Sequence, residues 1–442
     1  MRVAVLQERV TGKKSVSDMF QLCWVEYYLF EEKKMKRQLH IIYAAGLLLM
    51  AGIFSAAQAA ELIVWHAYRG AEKTAFEKVA QLYQTKMASK GLKVTTLAIP
   101  YDAYADKISA SVPRGKGPDV FIYAQDRLGG WIESGKTVEP IGFYMDDATR
   151  AQFLPGMLDA MTYKGTVYGL PLNYKSITLI YNKALVKTPP KTSAELVKLA
   201  KSLTNAESGR YGLVYWYTNF YFHSALMNAF GGRVFDKDGK LVVDSPQTIA
   251  SIKQMMKWYK QDGIMPTEPS EALVSSMFNE GKAAMVFNGP WFIGEISPTV
   301  NYGLAVLPVI DEAGKKPMRP WLTIEGAYVS ASSKQKELAY DFAKFLASEE
   351  AGLILALEGR QLHTNAAIYK DRRVADDVVL KAFHDQLSSA EPMPNLAEMT
   401  MMWSPVTTAM NKVVKSNASP EAALKEASDA IQESINALRK GR

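Results

Sequence analysis

Cysteine is all but missing: Cys23 is the only one in 442 residues. It lies ahead of a leader signal, so neither disulfides nor thiol chemistry can carry the function of the processed chain. Histidine is scarce too. Only His66, His223, His363 and His384 lie beyond residue 59, and none has a zinc-like spacing such as His-Glu-x-x-His. No G-x-S-x-G elbow is present, and Gly231-Gly232 and Gly289-Pro290 lack the strand-then-glycine pattern that cradles phosphate. There is no internal repeat, low-complexity tract or long linker. The formal charge is only +7, and residues 1–59 hold eight of the 52 Lys/Arg and five of the 45 Asp/Glu, leaving +4. That is too mild and dispersed for a nucleic-acid partner. No metal, cofactor or catalytic residue is expected on these grounds. Paired carboxylates of a secreted glycosidase stay open, because they meet in space rather than in sequence.

Long apolar runs are missing as well, with one exception. Lys33, Lys34, Lys36 and Arg37 precede Ile41 to Phe54, which leads into Ser55-Ala56-Ala57-Gln58-Ala59-Ala60. A basic start, a 14-residue apolar core and an Ala57-x-Ala59 signal form a secretory leader, and the run is shorter than the ~20 residues a membrane span needs. Residues 35–59 are therefore expected to be a signal peptide that starts at Met35 and is cleaved after Ala59. Residues 1–34 are then an upstream extension. No cysteine follows to carry a lipid anchor, so the expected location is the periplasm.

What is present is apolar substance: 48% hydrophobic residues over a length that exceeds the ~250–300 residues one core can serve. Two lobes are expected. Glu61 to Trp65, Lys93 to Ile99 and Asp119 to Tyr123 have strand composition, and Phe76, Val79, Ala80, Tyr83 and Met87 have helical spacing between the first two. That rhythm predicts a parallel sheet with crossover helices. Thr192 with Glu195, Ser245-Pro246 and Ser419-Pro420 read as helix starts. The second of these helices should bury Ile249, Ile252, Met256 and Tyr259, the third Leu424, Ala427, Ile431 and Ile435.

Three stretches carry chemistry. Val274 to Trp291 reads as a helix to Gly281, a buried strand from Ala283 to Phe287, and a turn at Asn288-Gly289-Pro290, where glycine supplies positive φ. Trp291 then stands past the carboxyl end of a strand, where open α/β sheets bind ligands. It is either a ligand platform or a core Trp beneath a loop. Asp126-Arg127 follows the third strand and offers acceptors beside a fork of donors, or a plain salt bridge. Residues 211–223 (YGLVYWYTNFYFH) hold more phenols than a core readily satisfies, so they line a wet concave surface or fill a core.

The motifs PDVFIYAQDRLGG (118–130), ITLIYNK (177–183), FNEGKAAMVFNGPW (278–291), NYGLAVLP (301–308), MPNLAEMTMMW (393–403) and SPEAALKEA (419–427) occur in this order. In them residues 61–442 resemble, nearly end to end, the periplasmic maltose/maltodextrin-binding proteins among the extracellular solute-binding proteins of ABC sugar importers. The resemblance implies a two-lobed periplasmic-binding-protein fold, each lobe a mostly parallel sheet flanked by helices, joined by a multi-crossing hinge. It places one lobe at 60–173 with 319–374 and the other at 175–318 with 375–442. It implies capture of an oligosaccharide by hinge closure and delivery to inner-membrane ABC permease subunits, by a monomer, with a chemoreceptor as a further candidate partner.

Carried over by motif, Tyr123, Asp126, Arg127, Tyr221, Phe222, Trp291 and Trp403 are the implied ligand residues. Lys175 and Asn219 stand where maltose-binding members carry carboxylates, and Arg69 and Glu72 are assigned by position. Ser404 replaces an aromatic and Thr407 an arginine. These departures keep the aromatic cradle and rewrite its polar rim, which leaves trehalose or another α-glucoside, a cyclic maltodextrin and, through Lys175 and Arg69, glycerol phosphate as alternatives to maltodextrin.

Overall fold

The computed structural model describes residues 21, 24, 25, 27–39 and 60–440, in two compact units, Met1–Ala60 and Glu61–Arg442. In the first, residues 27–39 form one exposed helix that runs through Met35, with Lys36 donating to Glu32 one turn away. The apolar run 41–54 and the cleavage site after Ala59 lie outside the described residues. Among the described residues no helix is long and apolar enough to cross a membrane.

Residues 61–440 form the two-lobed α/β architecture. One sheet runs in the spatial order Leu362–His363, Gly169–Lys175, Trp321–Val329, Val120–Ala124, Glu61–His66, Lys93–Ala98, with Glu391–Pro392 beside the start of Trp321–Val329. The second runs Tyr302–Ala305, Thr178–Asn182, Ala283–Asn288, Tyr211–Val214. The expectation of mostly parallel sheets is corrected here. Glu61–His66 pairs in parallel with both its neighbours, but Trp321–Val329 is antiparallel to Val120–Ala124 and to Gly169–Lys175. In the second sheet only Tyr211–Val214 with Ala283–Asn288 is parallel. The reason is the hinge. Gly169–Lys175 continues after two residues as Thr178–Asn182 of the other sheet, so its direction is set by the crossing and not by a returning helix.

The helix starts follow local chemistry. Ser245 Oγ accepts from the Thr248 amide with Pro246 in the first turn, and Ser419 Oγ accepts from the Ala422 amide. The final helix, Pro420–Lys440, buries Leu424, Ala427, Ile431 and Ile435 against the core that also holds Leu179 and Met285 of the second sheet. The stripe expected on Pro246–Met256 is shifted. Ile252 is buried as expected, whereas Ile249, Met256 and Tyr259 are only partly covered and Met255 and Trp258 take the core. A π turn over Lys257–Gln261 adds a residue to the winding and rotates the following face.

Three buried imidazoles make stability depend on pH. Burial pushes His223 down to about 3, and His66 and His363 down to about 4. A histidine held neutral in the fold contributes stability that is fully present above its unfolded value near 6.5 and is lost as pH falls toward the folded value. Buried Glu72 and Asp126, raised by burial, act in the opposite sense, so a difference measurement isolates the imidazole. The stability advantage of wild type over His223→Gln in urea melts is expected to shrink by up to about 1.4 kcal/mol per pH unit between about pH 6 and 4. A constant difference would mean that His223 is not held neutral.

Candidate functional site

The carboxyl ends of the strands converge on one cavity of about 420 Å³, within the size range of small-ligand sites. Glu61–His66 delivers Tyr68 and Arg69, with Glu72 in the first turn of the helix Gly70–Lys86. Lys93–Ala98 leads to Tyr101, and Val120–Ala124 to Tyr123, Asp126 and Arg127. From the second sheet, Tyr211–Val214 leads to Trp216, Asn219, Tyr221 and Phe222, and Ala283–Asn288 to Trp291. The crossing strands add Lys175, Thr323 and Glu325, and Trp403 comes from the start of the helix Trp403–Lys415. All eleven side chains singled out from the sequence line this cavity.

The aromatic groups line the cavity at varied angles to one another, with the Lys175 ammonium 5.8 Å from the Trp291 ring centre and the Arg127 guanidinium 6.0 Å from that of Trp403. Trp291 is half-buried, 6.1 Å from Tyr221 and perpendicular to Phe222 at 6.3 Å. Trp403 stands at 81° to Trp321, and Tyr123 stacks on the exposed Tyr101 at 5.1 Å. The turn before Trp291 differs from the expectation in its cause. Gly289 has φ −101°, an ordinary extended value. Glycine is required there because a Cβ would lie 2.1 Å from the Trp291 ring. The ring folds back over its own turn, and only glycine leaves it room.

The charges are paired with one another. Lys175 Nζ lies 3.2 Å from Glu72 Oε1 and 3.1 Å from Glu325 Oε1. Burial alone would lower its proton affinity, but the Glu325 and Glu72 carboxylates hold it above the ordinary lysine value. Asp126 is buried, and that burial pushes its carboxyl up against the pull of Arg127, whose Nε is 3.3 Å away, and of Trp403, whose Nε1 donates to Oδ2 at 2.9 Å. The Asp126-Arg127 pair is thus both a salt bridge and part of the cavity wall. Arg69 joins Glu271 and Glu295 of the opposite sheet's connections. Asn219 Oδ1 accepts from the Tyr221 amide and caps the helix Phe220–Ala229, so it fixes the aromatic pair as well as lining the cavity.

Sequence reasoning missed Tyr68, Tyr101, Thr323 and Glu325, and named Trp216 only within its aromatic stretch. Tyr101 follows the carboxyl end of a strand, the same signal that exposed Trp291. Glu325 had no signal. It sits inside an apolar strand, next to an irregularity in pairing with Gly169–Lys175 that falls between Glu325 and Gly326, and such irregularities commonly re-aim a side chain.

A cleft walled by strand-end aromatics and internally paired charges, built from the connections of two sheets, defines a small-ligand-binding protein of the two-lobed α/β class. The chain belongs to the bacterial extracellular solute-binding proteins, whose family profile matches residues 69–353. It is similar to the maltotriose-binding protein of Pyrococcus abyssi, 30% identical over 383 residues that cover 84% of this chain and 82% of the relative. It is also similar to the galactooligosaccharide-binding protein of Bacillus subtilis, 26% identical over 88% of this chain and 92% of the relative. Among solved structures, the Thermus thermophilus maltotriose binding protein bound with maltotriose superposes with a TM-score of 0.78 at 27% identity, covering 85% of this chain and 100% of that one.

Proposed function

We propose that this protein is the substrate-binding component of an ABC importer, secreted through a signal peptide cleaved after Ala59, and that it captures a malto-oligosaccharide-like sugar in the periplasm. Lobes at 60–173 with 319–374 and at 175–318 with 375–442 close on the sugar by bending at the crossing segments, and the closed form delivers it unchanged to the permease. Ligand favours closure because only the closed form brings the contacts of both lobes together.

The observation that supports this reading is the gathering of aromatic rings around one cavity together with hydrogen-bonding groups whose cations are all engaged by carboxylates. Sugar C–H groups lie on the rings, each weak contact contributing about 0.5–1 kcal/mol, and the carboxylates, Arg127 and the amides address the hydroxyls. An anionic solute such as glycerol phosphate loses support from the same geometry. Lys175 and Arg69 are engaged by Glu72, Glu325, Glu271 and Glu295, and the lining holds six carboxylates (Glu72, Asp102, Asp106, Asp126, Glu271, Glu325) against three cations (Arg69, Arg127, Lys175).

Thermal unfolding in the presence of maltose, maltotriose, trehalose, a cyclodextrin, a galacto-oligosaccharide and glycerol phosphate tests it. A ligand at 100 times its Kd adds about 2.7 kcal/mol to the folded state, a rise of several degrees. The rise is expected with an α-glucan, with no product on thin-layer chromatography. A shift with glycerol phosphate alone, or release of glucose, would overturn the reading.

A further inference from the structure

We propose that Lys175 is a positioning residue that holds Glu72 and Glu325 as a pair of hydroxyl acceptors in the cavity that Trp291 lines, and that Glu325 thereby becomes a specificity-determining contact. The inference rests on the sugar-binding reading for its ligand.

Lys175 closes the strand Gly169–Lys175, and its side chain is only 12% exposed. Its ammonium lies 5.8 Å from the Trp291 ring centre and 5.4 Å from that of Tyr68, so it is flanked by aromatic faces as well as by the two carboxylates. An ammonium has three donors and no acceptor. Each carboxylate gives Lys175 one oxygen, Oε1 in both cases. Glu325 Oε2 is buried in the cavity wall without a direct hydrogen bond among the described residues, in a residue 94% withdrawn from solvent, and the only uncharged donor acting on this carboxylate is the neighbouring Tyr68 phenol, itself held by Asn173. A buried acceptor without a donor is unfavourable unless a ligand supplies one, and a sugar hydroxyl is such a donor. The sugar ring seated at Trp291 is therefore selected for a hydroxyl aimed at Glu325.

Both carboxylates reach the same ammonium. Burial raises Glu72 and the Glu325 charge adds to it, against the pull of Lys175, so without that cation the pair would take up a proton. Facing this cluster are Tyr68, whose phenol burial pushes up, Tyr221, pushed up to about 12, and Arg69, which acts on Glu72 as a fixed cation. None of these three titrates near neutrality; Asp126, raised by burial in the same cavity, is common to wild type and every variant, so a pH response that appears only when Lys175 is removed belongs to the carboxylate pair.

The test is the pH profile of two variants of similar shape. Wild-type affinity for maltotriose by calorimetry is expected to vary less than about twofold between pH 5.5 and 8, and that of Lys175→Met by about tenfold, weakening as pH falls and one acceptor is protonated. Lys175→Arg should restore the flat profile, and Lys175→Met with Glu325→Gln should be weak with a shallower profile than Lys175→Met, because burial still raises Glu72. A flat Lys175→Met profile would overturn the proposal, because a merely structural lysine lowers affinity equally at every pH. A second readout needs no sugar. Unliganded Lys175→Met should lose stability relative to Lys175→Met with Glu325→Gln as pH rises from about 5 to 8, since a carboxyl raised in the fold stabilises below its folded value and not above it. If wild type binds none of the sugars, the functional reading fails while this stability profile still decides the role of Lys175; a pH-independent difference overturns it.

Discussion

Replacing Trp403 with alanine is expected to weaken sugar binding by about two orders of magnitude, more than Trp291→Ala and far more than Asp126→Asn. Removing a central aromatic anchor typically costs about 2 kcal/mol or more, which is roughly thirtyfold in Kd. Trp291→Ala should lose about that much. Trp403 has a second role, because its Nε1–H is a donor to the buried Asp126 carboxylate at 2.9 Å. Its removal leaves that charge with Arg127 and a backbone amide, and a lost hydrogen bond to a charged group adds about 1.5–3 kcal/mol. Trp403→Phe separates the two contributions, since it keeps a ring face and deletes the N–H; it should fall between wild type and alanine. Calorimetric titration with maltotriose measures all four. Equal and negligible losses for both tryptophans would remove the proposed cradle.

The second large effect concerns stability and the site together. Gly129 lies in the first turn of the helix Leu128–Ser134, two residues after Arg127. In an open helix, Gly→Ala stabilises by about 1 kcal/mol. Here the added Cβ would lie 2.5 Å from Ala397 N and from Asn395 O, and 2.7 Å from Leu396 C, all of them backbone atoms. That backbone has little freedom to retreat. Asn395 Nδ2 donates to the carbonyls of Ala160 and Thr162, and Gln125 Nε2 donates to the Met393 carbonyl. Gly129→Ala is therefore expected to destabilise by about 1–3 kcal/mol or more, as overpacking does, and to lower sugar affinity by lengthening the Asp126–Trp403 hydrogen bond. Urea unfolding and titration together check this, and a more stable variant would contradict the packing described here.

Much of the site was readable without coordinates because its signals are local. A strand that ends in a turn places the next residues at the sheet's carboxyl edge, which is how Trp291, Asp126 and Arg127 were singled out, and how Tyr101 could have been. Capping residues at Ser245 and Ser419 and the stripe from Leu424 to Ile435 are likewise set within a few residues of chain. Local rules also misled. Gly289 needs its lack of a Cβ for the space under a tryptophan ring and not for its φ, and Tyr259 leaves the expected stripe within a π turn, whereas Ile249 and Met256 leave it in the regular helix before that turn.

The sequence by itself determined the two-sheet α/β class, the family motifs and the set of strand-end residues available to a ligand, because each depends on periodicity or on contacts a few residues apart. Only the tertiary structure decided the direction of the strands and the partners of the charges. Lys175 and Glu325 are 150 positions apart, and they meet because two crossing strands pair antiparallel with Thr323 opposite Lys175. That register arises from how the chain passes between the lobes, and nothing within a few residues of either side chain specifies it.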